Sequence, residues 1–408
     1  MRYDEITCNR RKIPLLIYLF VVIFSDNTYY YYIGSLIFVA YEIPYFLRRH
    51  IIKRDLFNFN YVIIIGFFLI CICCGFAYFP NIALKRCVVM TINFIINAFV
   101  AKELSDTTNR EQFLNNYCVF ALIFELYLVI FSGNRILLGR LGTYAYSPIA
   151  FGGTYNSNIV GVVLLYAIIL TFKKYLDDRN RIRLFVIIIY LVGIFLTGSR
   201  KAIVATAIIF ILLPSIKAYF ENRKFAFKII KYIVLGVGIS CIGLFFLFKI
   251  PVLYNIAGYR IEAMIVNMGN SDMYLESSLD YRNQFVEYAK QYFYESPFVG
   301  IGIDNFAQVN YIKGYYAHNN YWELLSGGGI IGCVLYYLLY VQLFFKLKKS
   351  CKMRIQDANS FLCLIIIMFV VDYYMVSYLQ HICVLFLFIA NAVANSHRSE
   401  NLAYYERR

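Results

Sequence analysis

One histidine in this chain of 408 residues has a sequence context that could support chemistry. His318 follows a long polar stretch and opens the sequence His318-Asn319-Asn320-Tyr321-Trp322-Glu323, which leads into an apolar run. An imidazole with an ordinary pKa near 6.5 can accept a proton from a hydroxyl group and so act as a general base. Spacing alone favours a structural or interfacial histidine over a catalytic one. The other three histidines lie in a basic segment, at a predicted helix end and in the C-terminal tail (His50, His381 and His397).

The sequence does not predict a metal site at His318. Helical chelation needs partners three or four residues apart on one face. Glu323, five residues on, lies about 140° around a helix from His318. The polar stretch 250–317 contains no further histidine and no cysteine. We therefore predict that neither a metal nor another cofactor takes part.

The eleven cysteines and three acidic residues within apolar runs have ordinary explanations. Nine cysteines lie within apolar runs, and the other two are Cys8 and Cys351. This distribution predicts packing rather than disulfides, which need paired thiols in an oxidising compartment. A proton-coupled transporter could use Glu42, Glu125 and Asp372. Because no basic residue accompanies them in the apolar runs, carboxyl groups hydrogen-bonded to neighbouring helices are the favoured interpretation.

The composition identifies the elements that must position these residues. The chain is 61% hydrophobic and only 15% charged, whereas soluble domains are about half apolar and about a quarter charged. These values exclude a soluble globular enzyme, a disordered protein and a disulfide-stapled secreted domain. We predict an all-α polytopic membrane protein whose residues 1–408 form a single transmembrane domain.

About twelve apolar runs are candidates for membrane-spanning helices, each of which needs about 20 mostly apolar residues. They are residues 13–25, 29–47, 61–79, 82–101, 113–132, 156–172, 184–198, 202–219, 229–249, 321–345, 359–377 and 380–395. Between the ninth and the tenth runs lies one large loop, residues 250–317. We predict that this loop is extracytoplasmic.

The distribution of charge predicts the orientation. The chain has 39 Lys and Arg against 24 Asp and Glu. With twelve spans and both termini in the cytoplasm, 28 of these 39 cations lie on the cytoplasmic side and eleven on the outer side, as the positive-inside rule requires. The basic excess therefore predicts the orientation of the spans rather than a nucleic-acid partner.

Four motifs in the same order resemble the signature of bacterial O-antigen ligases and of the related O-antigen and capsule repeat-unit polymerases. The most telling is His318-Asn319 followed after nine residues by Gly329-Ile330-Ile331-Gly332. The other three are Thr197-Gly198-Ser199-Arg200-Lys201, Ser277-Ser278-Leu279-Asp280-Tyr281-Arg282, and Glu295-Ser296-Pro297-Phe298-Val299-Gly300-Ile301-Gly302 with Asn305-Phe306. The predicted topology also resembles that of the family.

The resemblance implies a metal-independent glycosyltransferase in the cytoplasmic (inner) membrane that uses a glycan on an undecaprenyl-pyrophosphate carrier at its outer face. Arg200 and Arg282 would stabilise the pyrophosphate leaving group, because a guanidinium is a permanently charged planar fork. His318 would be the general base. Arg260 is a weaker third candidate for the anion. Asn319 and Tyr321 would orient the sugar or the imidazole ring, and Glu323, grouped with these substrate-binding residues, would hold the loop to the helix.

The resemblance leaves the reaction open between a polymerase and a ligase. The amino-acid sequence of the large loop more closely resembles that of repeat-unit polymerases. A ligase would transfer the glycan to lipid A–core instead. A flippase or another transporter is a distant alternative, which predicts a continuous polar path through the spans. The lipid bilayer and the carrier-linked oligosaccharide are the predicted partners, with a chain-length regulator and a flippase as further possibilities. The mechanism requires that Arg200, Arg282 and His318 line one outward-facing cavity.

Overall fold

The structure is a computed structural model that describes residues 3–25, 28–48, 65–66, 68–133, 140–141, 155–221, 225–269, 277–310 and 314–406. These residues form helices and no strand, which confirms the all-α class. Thirteen helices have eleven residues or more: α1 (Tyr3–Phe24), α2 (Thr28–Arg48), α3 (Pro80–Glu103), α4 (Thr107–Ser132), α5 (Ser157–Asp178), α6 (Arg181–Thr197), α7 (Arg200–Glu221), α8 (Phe225–Lys249), α9 (Tyr259–Gly269), α10 (Ser277–Glu295), α11 (Asn320–Lys352), α12 (Ala358–Asp372) and α13 (His381–Glu406).

Five of these helices are long and apolar enough to cross a membrane: α3, α4, α5, α7 up to Phe220, and α11. A sixth span is possible where Ile233–Lys249 meets Pro251–Ala263 at a bend of 93°, because Pro251 opens a new turn there. The shorter apolar helices include α12 and parts of α1, α2 and α13. A multi-pass membrane protein is thus supported. The predicted run 61–79 lies partly outside the described residues, and the count of twelve spans stays a prediction.

Helix α5 is the most deeply buried of the five long apolar helices. Of its most apolar 18-residue window, 72% is buried inside the protein. It packs against α6, α7, α4 and α12. The N-terminal ends of α5 and α7 lie side by side, because the Ser199 hydroxyl donates to the side-chain carbonyl of Asn158 at 3.2 Å.

Helix α11 is broken at Gly329, whose φ of 61° and ψ of −168° are not helical. An unbroken helix would bond the amides of Ile330 and Ile331 to the carbonyls of Ser326 and Gly327. Residues 297–302, here called the return segment, satisfy all four groups instead. Ile301 and Gly302 donate to those carbonyls at 2.8 and 3.0 Å, and Ile330 and Ile331 donate to the carbonyls of Pro297 and Phe298 at 2.8 and 3.2 Å.

Glycines make this close approach possible. A Cβ on Gly329 would lie 2.3 Å from the backbone of Phe298, and a Cβ on Gly300 would lie 2.5 Å from the backbone of Gly327. Both glycines also have positive φ, which L side chains adopt at a cost. The glycine-rich motifs on either side of His318 therefore interlock the return segment with α11.

One of the three acidic residues within apolar runs, Asp372, makes the predicted hydrogen bonds to a neighbouring helix. The Asp372 carboxylate at the end of α12 accepts from the Tyr337 hydroxyl at 2.9 Å and from the Asn320 amide at 3.3 Å, both on α11. Glu125 on α4 packs against α6 at Gly193. The side chain of Glu42 lies outside the described part of the structure. For Asp372, the interpretation as a hydrogen-bonded structural carboxyl group is supported.

Candidate functional site

A cavity of about 390 Å³ brings together residues that are far apart in sequence. Arg200, Arg282 and His318 all line it, and so do Arg260 and Asn319. The mechanism predicted from the sequence requires Arg200, Arg282 and His318 to line one cavity, and in the structure they do. We call this space the basic cavity.

Six cationic side chains line the basic cavity: Arg140, Arg200, Lys201, Arg260, Arg282 and Lys290. No Asp or Glu is among its lining residues in the part of the chain that the structure describes. Closely spaced like charges repel, and burial strengthens that repulsion. Such an arrangement fits a site that binds a strongly anionic group.

Helix dipoles add to the positive potential of the basic cavity. Helix α7 begins at Arg200, so two cations lie at the positive end of a helix. Cations are normally disfavoured there, whereas anions are favoured. Asn158 in the first turn of α5, and Asn319 and Trp322 at the start of α11, also line the cavity. The N-terminal turns of three helices thus contribute residues to the cavity, where their dipoles favour an anion.

The turn between α6 and α7 sets the position of Arg200. Gly198 ends α6 in a left-handed conformation, with φ at 57°. A Cβ on Gly198 would lie 2.6 Å from the carbonyl oxygen of Ile256, so only glycine fits this turn. The chain then restarts directly as α7. The Arg200 guanidinium donates to the carbonyl oxygen of Arg260 at 3.3 Å, which ties α7 to α9.

Arg140 is a cavity residue that sequence reasoning missed. Its Nε donates to the carbonyl of Thr197 at 2.6 Å, and its Nη2 donates to Asn158 at 3.2 Å. Burial, followed by the charges of Arg260, Arg282 and Arg200, lowers the pKa of Arg140 to about 10. A bound anion would relieve this repulsion. The scarcity of cations on the predicted outer side was a signal that could have pointed to Arg140.

His318 lies two residues before the start of α11. Its imidazole packs near the rings of Tyr316 and Phe285, at ring-centroid distances of 4.6 and 6.0 Å. Burial, then the charges of Arg282 and Lys201, lowers its pKa to about 4. The imidazole is therefore neutral at physiological pH and able to accept a proton. Its backbone φ of 53° is left-handed, a conformation that costs a non-glycine residue about 1–3 kcal/mol.

The other predicted site residues have different surroundings. Asn319 caps α11, since its side-chain oxygen accepts from the amides of Tyr321 and Trp322 at 3.0 and 3.2 Å. Tyr321 is absent from the cavity lining that the structure describes, and its hydroxyl donates to the carbonyl of Phe369 at 2.9 Å. Glu323 is also outside that lining and is 1% exposed. The structure thus separates these two residues from the other predicted ligands.

Aromatic side chains complete the wall of the basic cavity. Trp322, Tyr373 and Tyr374 line it, and Tyr373 and Tyr374 are exposed. The Lys290 ammonium lies 5.4 Å from the centre of the Trp322 ring. Faces of aromatic rings beside cations suit a ligand that is part sugar and part anion. The sequence motifs gave no role to these residues.

The segment that carries most of this cavity can be compared with known proteins. Residues 184–337 match the O-antigen ligase family. The match confirms the resemblance inferred from the four motifs. Enzymes of the O-antigen ligase family act on lipid-linked glycans in the membrane. A search of curated proteins finds no match to the chain.

The matched segment contains Arg200, Arg260, Arg282 and His318. Arg140 and the tyrosine pair at 373–374 lie outside it, although they line the same cavity. Residues outside the matched segment therefore form part of the basic cavity.

Proposed function

We propose that the chain is a metal-independent glycosyltransferase that polymerises undecaprenyl-pyrophosphate-linked oligosaccharide repeat units at the outer face of the cytoplasmic membrane. The product would be O-antigen or capsular polysaccharide. The observation that carries the proposal is the basic cavity, in which six Lys and Arg side chains and an imidazole meet without a lining carboxylate among the described residues. The match to the O-antigen ligase family supports the same chemistry.

The proposed reaction breaks the bond between the anomeric carbon of the donor sugar and its pyrophosphate. A sugar hydroxyl of the acceptor attacks that carbon while His318 accepts the hydroxyl proton. The bonding electrons leave with the pyrophosphate, whose growing negative charge Arg200 and Arg282 stabilise, as preorganised cations do in a low-dielectric site. The proton on His318 then passes to the released carrier pyrophosphate or to water.

The protonation state of His318 fits this order of events. Burial, and after it the charges of Arg282 and Lys201, lowers the pKa of His318 and keeps the imidazole neutral before the substrate arrives. A carrier pyrophosphate in the cavity offsets those cations, so the pKa of His318 rises and its strength as a base increases. Arg282 thereby contributes both to leaving-group stabilisation and to the protonation state of the base.

A ligase that transfers the glycan to lipid A–core is the second candidate function. It is favoured by the match of residues 184–337 to the O-antigen ligase family. Both reactions break the same bond and need the same cations and base. They differ in the acceptor.

Two experiments test the proposal. Purified protein should release carrier pyrophosphate from a lipid-linked repeat unit and lengthen the glycan, and His318→Ala should lose this activity. Retained turnover in that variant would contradict the assignment of the base. In a strain that lacks the gene, single repeat units on the lipid core indicate a polymerase. Uncapped core with accumulated carrier-linked chains indicates a ligase.

A further inference from the structure

His318 is held in a backbone conformation that a histidine does not adopt by preference. Its φ of 53° is in the left-handed region, which residues other than glycine adopt uncommonly. Such residues keep this conformation only where the surrounding structure fixes it. The groups that fix His318 therefore also determine where its imidazole lies in the basic cavity.

Hydrogen bonds on both sides of His318 join the neighbouring residues to the first turn of α11. On one side, the amide of Ala317 donates to the Glu323 carboxyl oxygen Oε2 at 2.6 Å. On the other side, the Asn319 side chain caps the helix, and the amide of Glu323 donates to the Asn319 carbonyl at 3.0 Å. The backbone on both sides of His318 is thus bonded to one rigid element.

The surroundings of Glu323 exclude direct contact with a ligand in the basic cavity. Its side chain is 1% exposed, and Ala317, whose amide it accepts from, is fully buried. An amide buried without a partner is costly, so the carboxyl oxygen stabilises the turn before His318. The contact is also local to the base, since Ala317 directly precedes His318.

We infer that Glu323 is a positioning residue, whose carboxyl oxygen holds the Ala317 amide so that His318 stays left-handed and its ring stays in the basic cavity. The inference rests on the proposed role of His318 as the base. It assigns Glu323 to the geometry of the base rather than to substrate binding. A carbonyl oxygen with the same reach would serve as well as a carboxylate.

Three substitutions of Glu323 separate reach from charge. Glu323→Gln keeps an acceptor oxygen at the same distance, so we expect a kcat within about threefold of the unchanged protein. Glu323→Asp keeps the acid but shortens the side chain, and Glu323→Met keeps the volume but removes the acceptor. For both we expect kcat to fall about 10²-fold, the size of effect that a misplaced catalytic group produces. KM for the lipid-linked substrate should change by less than about threefold, because the cations of the cavity are untouched.

A matched control is Glu295, whose carboxyl oxygen accepts from the Tyr78 hydroxyl at 2.8 Å. Glu295→Met removes another carboxyl group of the same part of the chain without touching residues 317–319, and kcat should stay unchanged. Thermal unfolding in detergent reports whether each variant folds. If Glu323→Met does not fold, the comparison of Glu323→Gln with Glu323→Asp still shows whether kcat depends on the reach of the acceptor oxygen or on the acid group.

The outcomes have distinct meanings. A Gln variant as inactive as the Met variant would overturn the inference, because the carboxyl group would then take part in the chemistry. Asp and Met variants with full kcat would overturn it as well. If His318→Ala retains turnover, the proposed function loses its base, whichever way the Glu323 variants behave.

Discussion

Two properties of His318 lead to separate predictions. Its role as the general base predicts the effect of its removal on activity, and its lowered pKa predicts the pH dependence. As the general base, the imidazole contributes a proton-transfer step that is typically worth about 10²–10⁴-fold. His318→Ala should therefore lower kcat by this factor while carrier pyrophosphate still binds. Turnover and binding measured on the same purified protein test this expectation. A loss of binding equal to the loss of turnover would instead assign His318 to the anion site.

The pKa of His318 sets the acidic limb of the pH profile. Its value of about 4 in the unliganded protein is below the ordinary one, so the base is lost only when the pH falls through about 4. We expect kcat/KM, which reports free-enzyme pKa values, to be flat from about pH 8 to about pH 5 and to fall below that. Arg282→Gln removes one of the charges that lower the pKa of His318. The acidic limb of the kcat/KM profile of this variant should therefore lie at higher pH. A limb near 6.5 that this variant does not move would contradict the electrostatic account.

At the scale of elements, the break in α11 depends on a single glycine. Gly329→Ala places a Cβ 2.3 Å from the backbone of Phe298 and forces a side chain into a left-handed conformation. The backbone strain alone costs about 1–3 kcal/mol, and the close contact adds to it. We therefore expect the free energy of unfolding to fall by about 2 kcal/mol or more. Thermal or denaturant unfolding of the purified variant measures it.

Gly328 is the matched control for that substitution. A Cβ there meets nothing closer than Ile303 Cδ1 at 3.6 Å. Gly328→Ala should be neutral or slightly stabilising, because alanine restricts the unfolded chain. If both alanine variants lose the same stability, the interlocking of the return segment with α11 is not what the glycines serve.

The sequence predicted helices well and their meeting points poorly. Apolar runs revealed the long helices because burial in lipid or in the core needs a continuous apolar surface. The pattern Gly198-Ser199-Arg200 indicated the helix junction, and the structure explains it by the αL turn at Gly198. Spacing along the chain could not show that Arg140 bonds to Thr197, since this contact joins residues 57 positions apart. The bond from the Tyr321 hydroxyl to the carbonyl of Phe369 could not be predicted for a similar reason, since Phe369 lies on another helix.

At the scale of the whole molecule, the charge count and the cavity support one another. Six of the eleven Lys and Arg that the twelve-span topology leaves on the outer side line the basic cavity. The positive-inside rule explains the distribution of the other 28 cations by insertion. It gives no reason for six basic residues to gather in one cavity on the predicted outer side. Binding of an anionic substrate there supplies one.

The predicted topology can be tested directly. Alkaline phosphatase inserted at residue 272, within the 250–317 loop, should be active, because this enzyme folds only outside the cytoplasm. The same enzyme fused after the C-terminus should be inactive, and a fluorescent protein fused there should fluoresce. Active phosphatase at the C-terminus would change the number of spans from even to odd.

The chain contains a single tryptophan, and that residue lies in the wall of the basic cavity. When only indole is excited, the emission of the whole protein therefore comes from Trp322, with the Lys290 ammonium 5.4 Å from its ring centre. Inorganic pyrophosphate that draws Lys290 away should change this emission saturably, and Trp322→Phe should abolish the signal. Emission that stays constant while pyrophosphate inhibits turnover would contradict binding beside Trp322. Site occupancy thus has an optical readout in the unlabelled protein, one that works even where no sugar acceptor is known.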